Sequence, residues 1–192
     1  MFIKKLKGNN VGTIMYNRVI CYFIMFIVLM FGIDMCLCFT QSLVTSYQSS
    51  YYAEKISVQG GLLGSSRVLP GCINSGGKWE NDIIGGKCIA GVQKQCSSCF
   101  TNADISRTFG QTMEKFGLTS YDWNIALITD DSTIWVHNNG KTVNTSQRVR
   151  LDHMSVNDLY VSSRFVPKVS GFLWNGVLLE KQITFISEYI ER

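Results

Sequence analysis

The stretch VICYFIMFIVLMFGI, residues 19–33, decides how this chain is read. No charged side chain interrupts it. After Asp34 the apolar character resumes through Met35-Cys36-Leu37-Cys38-Phe39. From 19 to 39 the run is 21 residues long. At about 1.5 Å per residue a helix of that length spans roughly 31 Å, which matches the roughly 30 Å hydrocarbon core of a bilayer. The expectation is one transmembrane helix near the start of a 192-residue chain, with the bulk of the protein on one side.

The charges predict which side. Lys4, Lys5, Lys7 and Arg18 precede the run with no acid among them, and the next basic residue is Lys55, beside Glu54. Basic flanks stay in the cytoplasm, so residues 1–18 read as a cytoplasmic basic leader and the C-terminal part as extracytoplasmic. The net charge of +4 belongs mostly to this leader: residues 45–192 carry 14 basic and 13 acidic side chains. Such a near-neutral region has no field to gather nucleic acid. A cleaved secretory signal is the competing reading. Its apolar region runs about 7–15 residues and ends at a small-x-small site. Residues 34–39 offer no such site, and Asp34 and Met35 stand where a lipobox before Cys36 needs small residues. An uncleaved anchor is therefore expected.

Beyond the anchor, Leu43-Val44, Tyr47, Tyr51-Tyr52 and Ile56 recur at spacings of three to five, and no Gly or Pro interrupts residues 33–59. This predicts that the helix continues as an amphipathic extension over 40–59, until Gly60-Gly61 and Gly64 break it. Residues 60–100, rich in glycine and cysteine, read as a turn-rich loop. A second helix is predicted over 102–115, capped by Asn102 or Asp104, with Ile105, Phe109, Met113 and Phe116 on one face and Gly117 ending it. The remainder alternates as strands. Residues 123–129 and 133–136 flank a turn at Asp130-Asp131, and Asn138-Asn139-Gly140 is a hairpin signal. Val149, Leu151 and Met154 follow, then 159–161 and 165–166, and a long closing strand over 177–190. The fold class is α+β: a transmembrane helix with its extension, then a short helix and a small antiparallel sheet in a head over residues 101–192.

Cys72, Cys88, Cys96 and Cys99 form a C-x15-C-x7-C-x2-C pattern. As thiolates they make a tetrahedral zinc set with Cys96-Ser97-Ser98-Cys99 as a knuckle; as oxidised pairs they pin a loop with little core of its own. An extracytoplasmic location and the single knuckle favour two disulfides, and three pairings are open. Cys21, Cys36 and Cys38 lie in the anchor, where cysteine packs as a small apolar residue. Asp34 is the lone charge of the run. It reads either as an interfacial residue that reaches water or as a polar contact with a neighbouring helix in an assembly. His137 and His153 sit in no metal or catalytic motif, and no G-x-S-x-G, H-E-x-x-H or phosphate cradle is present. Asp130-Asp131 reads as a solvated turn. The sequence carries no catalytic residue, metal site or cofactor site.

The basic leader, glycine, apolar helix with a polar residue at each end, polar continuation and small α+β head resemble pilin-like proteins, most closely the TadE-like minor pilin (pseudopilin) group. In that resemblance Lys7-Gly8-Asn9-Asn10-Val11-Gly12 supplies the leader end, with Gly12 the possible cleavage position. Asn17 stands where the family usually carries Glu, and Asp34 falls about where its second acid sits. Phe116-Gly117-Leu118, a Trp-bearing strand and the closing Ile186-Ser187-Glu188-Tyr189 also resemble a related uncharacterised pilin-like family of Gram-positive mobile elements. The resemblance implies a non-enzymatic subunit of a pilus-like, secretion or conjugation apparatus. It implies Asn17 and Asp34 as helix-assembly residues, and the membrane and other envelope-machinery subunits as partners. The alternative is a single-pass anchored extracytoplasmic binding protein or adhesin.

Overall fold

A computed structural model of the chain describes residues 2–64, 79–81, 86–89, 92–93, 99–144 and 146–188. The chain divides into two compact units, Met1–Thr40 with Val166–Gly176, and Gln41–Phe165 with Val177–Arg192. The architecture is mixed α+β: a long apolar helix, one further helix among the described residues, and antiparallel sheets.

Helix α1 runs Phe2–Gln59. Nothing in 19–59 opposes a helix, and Gly32, the one glycine there, leaves open space where a side chain would stand. The helix stops where Gly60 takes a left-handed φ of 77°, a conformation in which glycine carries no Cβ penalty. In the first unit its apolar side chains face outward: Tyr22 is 71 % exposed and Phe26 60 %. This stretch is therefore not the core helix of a soluble domain, and it is long and apolar enough to cross a membrane.

In the second unit, α1 helps build the core. Tyr52, Ala53 and Ile56 pack with Ile105, Phe109 and Met113 of α2 (Asn102–Glu114) and with Trp123, Ile125, Leu127, Leu159 and Val161 of the sheet. The buried face of the extension differs from the expected one. Leu43 and Tyr47 are exposed, whereas Gln41, Thr45 and Ser49 are buried. The reason is hydrogen bonding. Gln41 Nε2 donates to Ser163 Oγ (3.2 Å) and to the Arg164 carbonyl (3.2 Å), Thr45 Oγ1 meets Ser163 Oγ at 3.2 Å, and Ser49 Oγ bonds back to the Thr45 carbonyl. Polar residues with partners are readily buried, so apolar periodicity finds Val44, Tyr51, Tyr52 and Ile56 on the core side but misses the polar positions beside them.

Helix α2 is capped one residue earlier than expected. Thr101 accepts from the Asp104 N–H while Asp104 accepts from the Thr101 N–H, a reciprocal capping box. Asn102 instead donates to the Asn144 and Gln147 carbonyls. Gly117, at φ 76°, turns the chain out of the helix, and the Leu118 N–H reaches back to the Met113 carbonyl.

The main sheet holds β5 (Trp123–Ile128), β6 (Thr133–Asn138), β7 (Lys141–Thr142), β9 (Val156–Phe165) and β10 (Val177–Ile186) in the order β10-β9-β5-β6-β7. All neighbours are antiparallel. The β6–β7 hairpin closes on Asn139 (φ 48°) and Gly140 (φ 78°), the two positive values a primed two-residue turn needs. The closing strand ends at Ile186, short of the expected 190. Of the run expected through Met154, only β8 (Val149–Arg150) is strand, and Met154 sits in a turn at φ 63°. β8 pairs with β1 (Gly61–Leu62), where a Cβ on Gly61 would run into the Val149 carbonyl. Within the segment expected to be loop, β2 (Trp79–Asn81), β3 (Gly86–Ile89) and β4 (Val92–Gln93) form a three-stranded antiparallel meander. Short strands bounded by glycines carry too little alternation to be read from sequence.

Candidate functional site

Asp34 is the most heavily bonded polar side chain of the first unit. It is 0 % exposed, although it stands in the apolar run. What covers it is a segment of its own chain. After Phe165 ends β9, Pro167 lacks the N–H a strand needs and the chain turns through 168–170. The turn aims successive backbone N–H groups at the carboxylate. Lys168 N donates to Oδ1 at 3.0 Å, Val169 N to both oxygens at 3.2 Å, and Ser170 N to Oδ2 at 2.6 Å. The Ser170 hydroxyl adds a fourth donor at 2.6 Å, and the Trp174 indole N–H donates in turn to Ser170 Oγ at 2.8 Å. Phe31, one helical turn earlier, meets the Trp174 ring at 5.9 Å. Consecutive amides in a turn make an anion seat, and hydrogen bonds to a charged acceptor are the stronger kind. The arrangement fixes a loop to a helix through a charge that would otherwise face an apolar environment alone.

This corrects one premise. The sequence offers Asp34 water at the interface or a neighbouring helix, and not its own chain, because its partners lie 134–136 positions away. Residues 166–176 carried no motif. Their one signal was an aromatic-apolar triplet, Phe172-Leu173-Trp174, in a turn between two strands.

The other sequence candidates are scattered. Gly12 and Asn17 are exposed on α1, and a Cβ at Gly12 would meet nothing. Cys21 and Cys36 are exposed thiols, and Cys38 is half-buried. Cys88 lies in β3, opposite Trp79 and Gln93. Cys99 is buried at the entrance to α2 and is not one of the free thiols. Cys72 and Cys96 lie outside the described residues, so the choice between disulfides and zinc stays where sequence left it. Among the described residues no three His, Cys, Asp or Glu side chains gather as a metal site.

A second polar cluster escaped the sequence reading. His137 is 3 % exposed and stacks on Trp123 with ring centroids 3.6 Å apart. Its Nε2 is 2.9 Å from the Ser120 carbonyl, which only accepts, so Nε2 carries the proton. Nδ1 then accepts from the Ser106 hydroxyl at 3.0 Å, and Ser106 accepts from Thr142 at 2.8 Å. Burial pushes the imidazole below its ordinary pKa, with the Ser120 carbonyl acting in the opposite direction. A serine–imidazole contact is half of a nucleophilic pair, but Ser106 and His137 are both sealed from solvent, and the second ring nitrogen meets a carbonyl, not a carboxylate. The cluster ties α2 to the β6–β7 hairpin.

The fold and these two clusters define an α+β protein whose first helix is long and apolar enough to cross a membrane. No family model matches the chain, and neither a curated protein nor a solved structure matches it.

Proposed function

We propose that this protein is a membrane-anchored, non-enzymatic subunit of a pilus-like, secretion or conjugation apparatus, of the TadE-like minor pilin kind. One observation supports this reading above the rest. A single helix, Phe2–Gln59, presents outward-facing apolar residues between Ile14 and Phe39 and supplies Tyr52, Ala53 and Ile56 to the core of an α+β unit with its last turns. A helix built that way serves both as anchor and as part of a head, as a pilin-like subunit requires.

The test is what the outward face of α1 meets in cells. A photo-crosslinking amino acid replacing Phe26, 60 % exposed, should yield adducts with a second protein subunit. Adducts with lipid alone would turn the reading to the anchored binding protein or adhesin.

A further inference from the structure

We propose that the loop Val166–Gly176 is a second membrane contact, dipping into the leaflet at the C-terminal end of the apolar helix with Phe172 and Leu173 against acyl chains. The proposal rests on the reading that the run 19–39 spans a bilayer, and adds a lipid-binding surface to it.

The argument begins with depth. Asp34 lies five residues before Phe39, the end of the run, so it sits about 7.5 Å inside it. Phe31 lies about 12 Å inside. The loop is fastened at these two levels: Lys168, Val169 and Ser170 on Asp34, and Trp174 on Phe31. A loop held there cannot stand in bulk water while residues 31–39 stand in lipid.

Its composition fits that depth. Phe172 is 70 % exposed, and Leu173 and Val166 are also exposed. They belong to the same unit as the exposed apolar residues Phe31, Met35 and Phe39. Trp174, with a bonded indole N–H, is the residue type enriched at membrane interfaces. Lys168 is exposed, and its long stem lets the ammonium reach the headgroups.

Backbone bonding fits as well. Irregular backbone at bilayer depth is tolerated where it is buried against protein, as the 168–170 turn is against Asp34 of α1. Pro167 has no N–H. The amides of 168, 169 and 170 are taken by Asp34, and that of Leu173 by the Ser170 carbonyl at 2.8 Å. Asp34 thus supplies the acceptors for three consecutive amides of the loop, those nearest the helix.

The full chain is placed in phosphatidylcholine–phosphatidylglycerol vesicles with an environment-sensitive fluorescent amino acid at one of three positions: Phe172, Val28 in the helix, or Tyr121 in the second unit. Quenching is read with lipids carrying a nitroxide high or low on the acyl chain. The expected result is strong quenching at 172 by the high nitroxide, stronger quenching at 28 by the low one, and none at 121. In D34A the quenching at 172 should fall to the level of 121 while that at 28 persists. Quenching at 28 with none at 172 in the unsubstituted chain overturns the loop proposal and leaves the spanning helix standing. No quenching at 28 overturns the membrane reading itself, and the proposal with it. Undiminished quenching at 172 in D34A overturns the role given to Asp34.

Discussion

His137 is placed so that burial disfavours its charged form. Nε2–H faces the Ser120 carbonyl and Nδ1 faces the Ser106 hydroxyl. A proton on Nδ1 would place a charge inside a buried site stacked on Trp123. Because the native pKa is lowered by burial, the unfolded chain binds the extra proton first. The stabilisation from the neutral ring is complete above the unfolded value of about 6.5. It is lost as pH falls from there through the depressed native value. Thermal melts of the detergent-solubilised chain should therefore show falling stability on acidification below about pH 6.5, and His137→Gln should flatten that part of the profile. An unchanged slope in the variant would remove His137 as its cause. At this scale sequence showed which residue was unusual but not what it touched. Asp34 stood out as the one acid in an apolar run, yet its partners are backbone amides of a distant turn, and amides leave no mark in a sequence. His137 looked idle because its partners, Ser106 and the Ser120 carbonyl, come from two other elements, and Thr142, which bonds Ser106, from a third.

Among the elements, the second half of α1 carries the most consequence. The apolar pattern separated a head over 101–192 from an extension over 40–59, which implied that residues 60–192 fold alone. The structure instead seats Tyr52, Ala53 and Ile56 in the core, bonds Tyr52 to Thr108 at 2.7 Å, and uses Gln59 to hold both the Phe100 N–H and its carbonyl. Truncating one large core side chain costs on the order of 2–5 kcal/mol, against about 5–15 kcal/mol for a whole domain. Losing two of them with their hydrogen bonds removes most of that margin. A chain beginning at residue 60 should lack a cooperative thermal transition by circular dichroism, whereas one beginning at residue 41 should melt cooperatively. Equal, sharp melting of both would mean that α1 is dispensable to the second unit. The elements themselves were largely legible: α2, the β5–β6 pair, the Asn139-Gly140 turn and the end of α1 at Gly60 each follow from local chemistry. The polar part of the extension's buried stripe was not, since Gln41 and Thr45 are buried by bonds to β9 and Ser49 by a bond back to Thr45, which polarity argues against.

For the whole molecule the open question is orientation, and the charges answer it as an expectation. Four basic residues precede the apolar run, none lies within it after Arg18, and residues 45–192 are nearly balanced at 14 basic against 13 acidic side chains. An excess of Lys and Arg holds a flank in the cytoplasm, whereas a balanced segment presents no such barrier to export. The N-terminus should therefore stay inside and Arg192 lie outside. A phosphatase that folds only after export, fused after Arg192, should be active, and a fluorescent protein that matures only in the cytoplasm should be dark at the same position. Replacing Lys4, Lys5 and Lys7 by Gln should weaken this bias and raise the inverted fraction, because Arg18 alone then marks the inner flank. Bright cytoplasmic fluorescence in the unsubstituted chain would place the cysteines of 60–100 in a reducing compartment. Free thiols or a zinc site would then replace the disulfide assignment, and a pilin-like subunit presented outside the cell would no longer be tenable.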